Sequence, residues 1–302
     1  MNLINIQPGI EPVNPYWLKD PTTNYDPIEY CLVLFAGDNG ISEENISAYL
    51  PFSSGDIVLE HINGRAPTAS LLQQLNKLEY IIDVGLKTPV PGTVNLNIRQ
   101  GTANFLFGDA LERVEVEQAI NIGAGIYNTL SVHKFDIIGI GEIGVADTLC
   151  ASAIITVISG ISPASIVGPG SAGDKVYARK VDIINRALKC RQVFPFDTID
   201  LLSRFGGLEI AALAGFILEA ARSGMWIMLD GYVTSVAALL ATGLDSQADF
   251  KLLTASLSAE PGHLVALKSL KLSPLINLGI HYGEGLSAAL GMCLWQCGCT
   301  LS

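Results

Sequence analysis

Four short apolar runs recur along the chain, each ending at or directly before a glycine or an aspartate, and helical patterns separate them. The runs are Tyr30–Ala36, Glu79–Gly85, Phe135–Gly141 and Met225–Asp230. A continuous apolar run that stops at a turn is typical of a strand buried on both faces of a sheet. The stretches 116–130, 148–159 and 208–223 have the density of Ala, Leu and Ile expected of helices packed on such a sheet. This alternation predicts an α/β fold, a Rossmann-like parallel sheet covered by helices on both faces.

Polar and glycine-containing turns follow three of these runs. They are Gly37-Asp-Asn-Gly40, Gly141-Glu-Ile-Gly144 and Asp230-Gly231. In open parallel sheets, ligands bind in the crevice at the carboxyl ends of the strands. We therefore expect these turns to face one crevice.

The overall charge restricts the class of partner. The 302 residues carry a net charge of −11, which argues against nucleic acid or an anionic membrane surface as the main partner. A small phosphorylated substrate is still possible, because it needs only a local group of backbone N–H donors. We find no signal peptide and no apolar run of about 18 residues, so a cytoplasmic protein is expected. Most of the six cysteines lie in apolar surroundings, and neither a metal nor a cofactor is expected.

Two carboxylates stand within glycine frames and are candidates for catalysis. Glu284 lies in Tyr282-Gly-Glu-Gly285, directly before a pattern of small residues that predicts a helix. A carboxylate at a helix N-terminus is also favoured by the helix dipole, so Glu284 is either a loop charge or a catalytic base. Glu142 lies in Gly139-Ile-Gly-Glu-Ile-Gly144, whose glycine spacing does not match a dinucleotide-binding fingerprint. Glu142 either caps a helix or faces a cationic or proton-donating group.

A second glycine-rich loop, Val167-Gly-Pro-Gly-Ser-Ala-Gly173, precedes a basic stretch. Its backbone N–H groups could enclose a phosphate, with Lys175, Arg179 or Lys180 adding positive charge. The alternative is a flexible surface loop ahead of a solvated helix. Of the four histidines, only His281 is expected near the crevice. Two framed carboxylates and a basic glycine loop together suit the transfer of a sugar phosphate.

Several of these segments, in their order along the chain, resemble one enzyme family. They are Phe35-Ala-Gly-Asp-Asn-Gly40, Ile82-Asp-Val-Gly85, Asn97-Ile-Arg-Gln-Gly-Thr-Ala-Asn104, Gly141-Glu-Ile-Gly144, Gly206-Gly-Leu-Glu-Ile210, Leu229-Asp-Gly-Tyr232 and Tyr282-Gly-Glu-Gly285. The chain is similar from about Leu32 to Met292 to the nicotinate-nucleotide:dimethylbenzimidazole phosphoribosyltransferases. That family moves phosphoribose from nicotinate mononucleotide to a base, which yields the α-ribotide of a cobamide lower ligand.

The resemblance implies roles for particular residues. Glu284 matches the general base, Glu142 a second acid near the substrate, and Lys180 the lysine that follows the glycine-rich loop. Further substrate-binding positions implied by the matching motifs are Gly168, Gly170, Ser171, Gly144, Asp147, Thr148, Asp230, Gly231, Tyr282, Asp38 and Asn39. The implied architecture is a large α/β domain over residues 30–260 and a small helical domain formed by residues 1–29 with 261–302. Family members are dimers.

Three departures from the family pattern bear on the substrate. Asn39 replaces a histidine, and Asp147 replaces an asparagine beside the expected phosphate, where its charge would repel. Tyr282 stands where a small aliphatic residue would flank the acceptor base. A bulkier wall suits a smaller acceptor, as in the phenol/p-cresol-activating relatives, which are heterodimers of two homologous subunits. The resemblance therefore implies a catalytic subunit of a homodimer or heterodimer, or alternatively a non-catalytic subunit that completes a partner's site.

Overall fold

A computed structural model describes residues 28–190, 193–195, 197–277, 279 and 282–300, except for the side chains of residues 299 and 300. Its centre is a parallel sheet of seven strands in the order β3-β2-β1-β4-β5-β6-β7. The strands are β1 (Tyr30–Gly37), β2 (Leu78–Gly85), β3 (Val94–Asn95), β4 (Ile137–Ile143), β5 (Trp226–Leu229), β6 (Lys251–Ser256) and β7 (Pro274–Ile276). The predicted parallel α/β fold is confirmed, and the four predicted strands are β1, β2, β4 and β5.

Eleven α-helices are described, and they cover the sheet. They are α1 (Ser54–Ile62), α2 (Pro67–Gln74), α3 (Arg113–Leu130), α4 (Asp147–Ser159), α5 (Pro163–Ile166), α6 (Tyr177–Lys189), α7 (Thr198–Phe205), α8 (Leu208–Arg222), α9 (Tyr232–Leu244), α10 (Pro261–Leu270) and α11 (Leu286–Thr300). The three helical stretches predicted from the sequence correspond to α3, α4 and α8, within a few residues at each end.

The central strand β1 shows why the sheet is buried on both sides. All eight of its residues are buried, and successive side chains point to opposite faces. Val33 and Phe35 belong to one apolar cluster, which includes residues of α3, α4, α8 and α9. Leu32 and Leu34 belong to a second cluster with α1, α2 and α11. A strand that packs on two helical layers must be apolar throughout, which is the pattern that Tyr30–Ala36 shows.

The order of the strands reverses between β1 and β4. β2 and β3 lie on one side of β1, and β4 to β7 lie on the other. At such a switch point, the connections leaving the two neighbouring strands diverge to opposite faces and leave a crevice at the carboxyl ends. Glu142 lies near the carboxyl end of β4 and pairs with Phe35 of β1. The switch point therefore brings the candidate residues of β1 and β4 to one edge.

The C-terminal part of the chain joins the same sheet. β7 pairs with β6, and Met292 and Trp295 of α11 contribute to the second apolar cluster. Residues 1–27, which the sequence assigns to the small domain, lie outside the described residues, and the division into two domains stays a prediction. Within the described part of the chain, no helix is long and apolar enough to cross a membrane.

Candidate active site

A cavity of about 350 Å³ opens at the carboxyl ends of the strands, at the predicted edge of the sheet. Eleven of the fourteen candidate residues from the sequence line it. They are Glu142, Gly144, Asp147, Thr148, Gly170, Ser171, Lys180, Asp230, Gly231, Tyr282 and Glu284. The other three candidates, Asp38, Asn39 and Gly168, do not line the cavity. The fold thus unites residues from three separate turns and from the glycine-rich loop.

Two glycines place Glu284 beside strand β4. A Cβ on Gly141 would lie 2.8 Å from the Cα of Gly285, so these backbones touch. Gly285 itself has a φ of +75°, and a Cβ there would lie 2.7 Å from Leu32. Glu284 also has a positive φ, +55°. This conformation costs a non-glycine residue about 1–3 kcal/mol, and such strain is concentrated at functional sites.

Asp230 holds the Glu284 loop in place. Its carboxylate accepts hydrogen bonds from the backbone N–H groups of Gly285 (3.1 Å) and Ala288 (3.0 Å), so it caps α11. The Thr68 hydroxyl donates to the carbonyl oxygen of Glu284 at 2.9 Å. Burial raises the pKa of Asp230 to about 6, and the charge of Glu284 adds to the rise, while the backbone hydrogen bonds oppose it. Asp230 was predicted to bind substrate, but in the structure both of its oxygens accept hydrogen bonds from backbone amides.

Two further carboxyl groups of the cavity favour the neutral form. Burial raises the pKa of Glu142 well above its usual value, and the negative charges of Asp147 and Asp230 raise it further. Burial and the charge of Glu209 likewise raise the pKa of Asp147. A neutral carboxyl group can donate a hydrogen bond. The repulsion between Asp147 and a phosphate that the sequence suggests is therefore weakened by burial.

Asn39 and Asp38 do not line the cavity but support the residues around it. Asn39 is fully buried, and its side-chain N–H donates to Oε1 of Glu209 at 2.9 Å. Asp38 accepts from the backbone N–H groups of Ser54 (3.1 Å) and Lys87 (2.8 Å). Burial raises the pKa of Glu209 to about 7 against the effect of the Asn39 hydrogen bond. The two candidate residues after β1 therefore bond to backbone or to Glu209 rather than lining the cavity.

The glycine-rich loop already holds an anion. The backbone N–H groups of Gly168 and Gly170 donate to the carboxylate of Glu260, at 2.9 and 2.7 Å. Lys180 is 3 % exposed and donates to the carbonyl oxygens of Gly168 and Pro169. Burial lowers the pKa of Lys180, while the charges of Glu260 and Asp147 oppose that effect. The loop has the anion-binding geometry that its glycines predict, but Glu260, which the sequence analysis overlooked, occupies the two donors.

Ser171 connects this loop to the segment after β1. Its hydroxyl lies 2.9 Å from the hydroxyl of Ser47 and accepts from the backbone N–H of Ala48 at 3.0 Å. Both Ser47 and Tyr49 line the cavity. The segment that contains them therefore forms part of the cavity wall above the glycine-rich loop.

Among the histidines that the structure describes, His61 contacts Glu284, and the expected place of His281 near the crevice stays a prediction. His281 lies outside the described residues. Nε2 of His61 is 3.1 Å from Oε2 of Glu284, and Nδ1 is 2.9 Å from Oε1 of Glu79. His61 stands in none of the motifs noted in the sequence, and Glu79 is noted only as the first residue of an apolar run. The only signal of His61 is a single histidine on a helix with an apolar face, which is more often a core residue.

Comparisons with known proteins agree with the fold. The profile of a family described as "Phosphoribosyltransferase" matches residues 19–302. The nicotinate-nucleotide–dimethylbenzimidazole phosphoribosyltransferase of Pseudomonas fluorescens is 37 % identical over 277 residues, which cover 89 % of this chain and 78 % of the relative. The enzyme of that name from Azotobacter vinelandii is also 37 % identical, over 286 residues, covering 89 % and 78 %. The crystal structure of CobT from Thermus thermophilus superimposes with a TM-score of 0.85 at 29 % identity, covering 91 % of this chain and 84 % of that one.

Proposed function

The chain belongs to the phosphoribosyltransferase family, and on this premise we propose that it transfers phosphoribose from nicotinate mononucleotide to an aromatic acceptor of the dimethylbenzimidazole type. The product is the α-ribotide of a cobamide lower ligand. Glu284 takes the proton from the acceptor, whose nucleophilic atom forms the new bond to the ribose C1 atom. The bond from C1 to the nicotinate nitrogen breaks, and nicotinate leaves with the electron pair. The observation that carries the proposal is the placement of Glu284 and Glu142 in one cavity with Lys180.

The charges of the cavity suit this reaction. Positive charge develops on the ribose as its bond to nicotinate breaks, and fixed negative groups near the reacting carbon stabilise that charge. Glu284 and Asp230 supply such groups, whereas burial raises the pKa of Glu142 and so favours a neutral carboxyl group that can donate a hydrogen bond to the substrate. Lys180 supplies the opposite charge beside the glycine-rich loop, where the phosphate of the donor would bind. Because Glu260 occupies the loop amides, phosphate binding at Gly168 and Gly170 requires that carboxylate to move.

The first experiment incubates the purified chain with nicotinate mononucleotide and dimethylbenzimidazole and separates nicotinate from the ribotide by chromatography. Replacing Glu284 by Gln removes the base, so we expect kcat to fall by roughly 10²–10⁴-fold. Binding of nicotinate mononucleotide, measured by calorimetry, should change little. Glu117→Gln is the matched control, because Glu117 is exposed on α3, outside the cavity lining. Unchanged turnover of Glu284→Gln would exclude Glu284 as the base.

Among aromatic acceptors, we further propose that the enzyme prefers a molecule smaller than dimethylbenzimidazole, such as phenol or p-cresol. Tyr49 and Tyr282 both line the cavity, and burial and the charge of Glu284 raise the pKa of both. Their hydroxyl groups therefore stay protonated and narrow the space beside the base. Turnover of phenol, p-cresol and dimethylbenzimidazole by the wild type and by Tyr282→Leu tests this. We expect Tyr282→Leu to shift the ratio of kcat/KM values towards dimethylbenzimidazole, and an unchanged ratio would contradict the proposal.

The proposed assembly is a homodimer or a heterodimer with a homologous subunit. Tyr49 and Tyr282 are 47 % and 41 % exposed at the cavity wall, which fits a site completed by another chain. Light scattering coupled to size-exclusion chromatography gives the mass of the chain alone and after mixing with a homologous subunit. Because Glu284, Glu142 and Lys180 lie together, we favour a catalytic subunit over a non-catalytic one. Activity that requires a partner's glutamate and survives Glu284→Gln would reverse that preference.

A further inference from the structure

A line of three side chains connects the candidate base to a second cavity. His61 has a fully buried side chain and lies between the carboxylates of Glu284 and Glu79. Glu284 lines the main cavity, whereas Glu79 and His61 line a smaller cavity bounded by α1, α2 and β2. Nothing in the reaction as described above uses His61 or Glu79. Their contacts nevertheless affect Glu284, the candidate base.

The two hydrogen bonds define the charge of His61. A carboxylate can only accept hydrogen bonds, and a neutral imidazole can donate from only one of its two nitrogens. Ring nitrogens that contact two carboxylates at 2.9 and 3.1 Å must both carry hydrogen when the carboxylates are ionised. Burial by itself lowers the pKa of His61, but the hydrogen bonds and charges of Glu284 and Glu79 raise it to about 9. His61 is therefore an imidazolium at neutral pH.

Glu284 needs such a cation because other carboxyl groups surround it. The negative charge of Glu284 contributes to the raised pKa of Glu142, Asp147 and Asp230, in each case after the larger effect of burial. The same negative charges repel the carboxylate of Glu284 in return. Lys180 donates its hydrogen bonds to the glycine-rich loop instead. The imidazolium of His61 offsets the repulsion at a distance of 3.1 Å.

The same contact also orients the base. The hydroxyl of Thr68 and the carboxylate of Asp230 fix the backbone around Glu284, and His61 fixes its side chain through Oε2. Oε1 is not engaged by His61, and the hydroxyl of Tyr282 also hydrogen-bonds to this carboxylate. Glu79, whose side chain is 12 % exposed, fixes the ring from the opposite side. A ring bonded at both nitrogens cannot rotate without breaking a hydrogen bond.

From this geometry we infer that His61 is the positioning residue for the base: as an imidazolium held by Glu79, it keeps Glu284 ionised and directed towards the acceptor. The inference rests on the proposed function, because it presupposes that Glu284 removes the acceptor's proton. The titratable groups that face His61 or Glu284 are Glu79 on β2, Glu142 on β4, Asp230 after β5, Asp147 at the start of α4, and the hydroxyls of Tyr49 and Tyr282.

The test compares the pH profiles of kcat for the wild type and for His61→Gln. Without the imidazolium, Glu284 is ionised only at higher pH, so we expect the acidic limb of the profile to move up by at least one pH unit. At pH values below the acidic midpoint of the wild type, kcat should fall at least tenfold, while the KM for nicotinate mononucleotide stays within threefold. His133→Gln is the matched control, because His133 is exposed in the turn after α3. A profile that is lowered equally at every pH would show a merely structural role and overturn the inference.

A second variant keeps the test valid if His61→Gln does not fold. Glu79→Gln leaves Glu284 and His61 in place but removes one of the two carboxylates that stabilise the imidazolium. We expect the alkaline decline of kcat to begin at least one pH unit lower than in the wild type, with Glu117→Gln as the control. An alkaline limb unchanged by Glu79→Gln would also overturn the inference.

Nitrogen NMR of the wild-type chain with labelled histidine gives a readout that needs no activity. The signals of His61, assigned by their loss in His61→Gln or by their displacement in Glu79→Gln, should show both nitrogens protonated at pH 7.5. A neutral ring at that pH would overturn the inference even if the transferase assay succeeds. If the ring is charged but the wild-type chain has no transferase activity, the proposed function is wrong and the charge of His61 is not.

Discussion

The charge on His61 has a measurable consequence for stability. Its pKa rises from 6.5 to about 9 on folding, because the hydrogen bonds to Glu284 and Glu79 outweigh the cost of burial. Each pKa unit corresponds to about 1.4 kcal/mol, so the protonated ring contributes about 3 kcal/mol to the free energy of unfolding. A raised pKa in the folded state means that this contribution is fully present below about pH 6.5. It is lost as the pH rises through about 9.

Urea unfolding at a series of pH values between 6 and 10 measures the effect. We expect the free energy of unfolding of the wild type to fall by about 3 kcal/mol more than that of His61→Gln over this range. Cysteines and other groups that titrate in the same range act in both proteins and cancel in the difference. His133→Gln, which replaces an exposed histidine, should follow the wild-type curve.

Parallel curves for the wild type and His61→Gln would refute the reasoning, because they would mean that His61 binds no additional proton in the folded state. A difference that grows rather than shrinks as the pH rises would refute it as well. That result would show that burial outweighs the two carboxylates and that the ring is neutral.

Three other changes have expected outcomes. Gly285→Ala places a Cβ 2.7 Å from a side-chain carbon of Leu32, at a residue whose φ is +75°. We therefore expect the free energy of unfolding, measured in urea, to fall by roughly 1–3 kcal/mol. We expect kcat, measured as turnover, to fall as well. Lys180→Met removes the buried cation. Because a hydrogen bond to a charged group contributes about 1.5–3 kcal/mol, the KM for nicotinate mononucleotide should rise about tenfold or more. The change in kcat should be smaller. The pKa of Glu209 rises to about 7 on folding, so its ionisation costs stability progressively as the pH increases from 4.5 through 7. Glu209→Gln should remove up to about 3 kcal/mol of that loss in unfolding curves, and an identical pH dependence in both proteins would contradict it.

The strands show which part of the fold can be predicted from the local sequence. β1, β2, β4 and β5 are predictable because their side chains face two helical layers and must be apolar. β3 has two exposed residues, and β7 begins at Pro274, so neither has a periodic pattern that could reveal it. Both strands form because a neighbouring strand offers unpaired backbone groups at the sheet edge. β6 has five buried residues out of six and was likewise not predicted from the sequence.

The candidate site divides in a similar way. Glu284 and Glu142 are recognisable because glycines frame them, and those glycines are required where Gly285 meets Gly141. Glu260, which occupies the amides of the glycine-rich loop, has no such frame. His61 likewise belongs to no recognisable motif within its helix. Both are functional candidates only through residues far away in the chain.

The sequence by itself determined the parallel sheet, the edge at which the site forms, and the glycine-framed carboxylates, since burial and backbone geometry act on neighbouring residues. Only the tertiary structure decided the contact between Glu284 and His61 and the raised pKa of that histidine. His61 lies 18 residues before Glu79 and 223 before Glu284, and the three meet only when α1, β2 and the loop before α11 pack together. Electrostatic interactions depend on distance and on the exclusion of water, and both are properties of the folded chain.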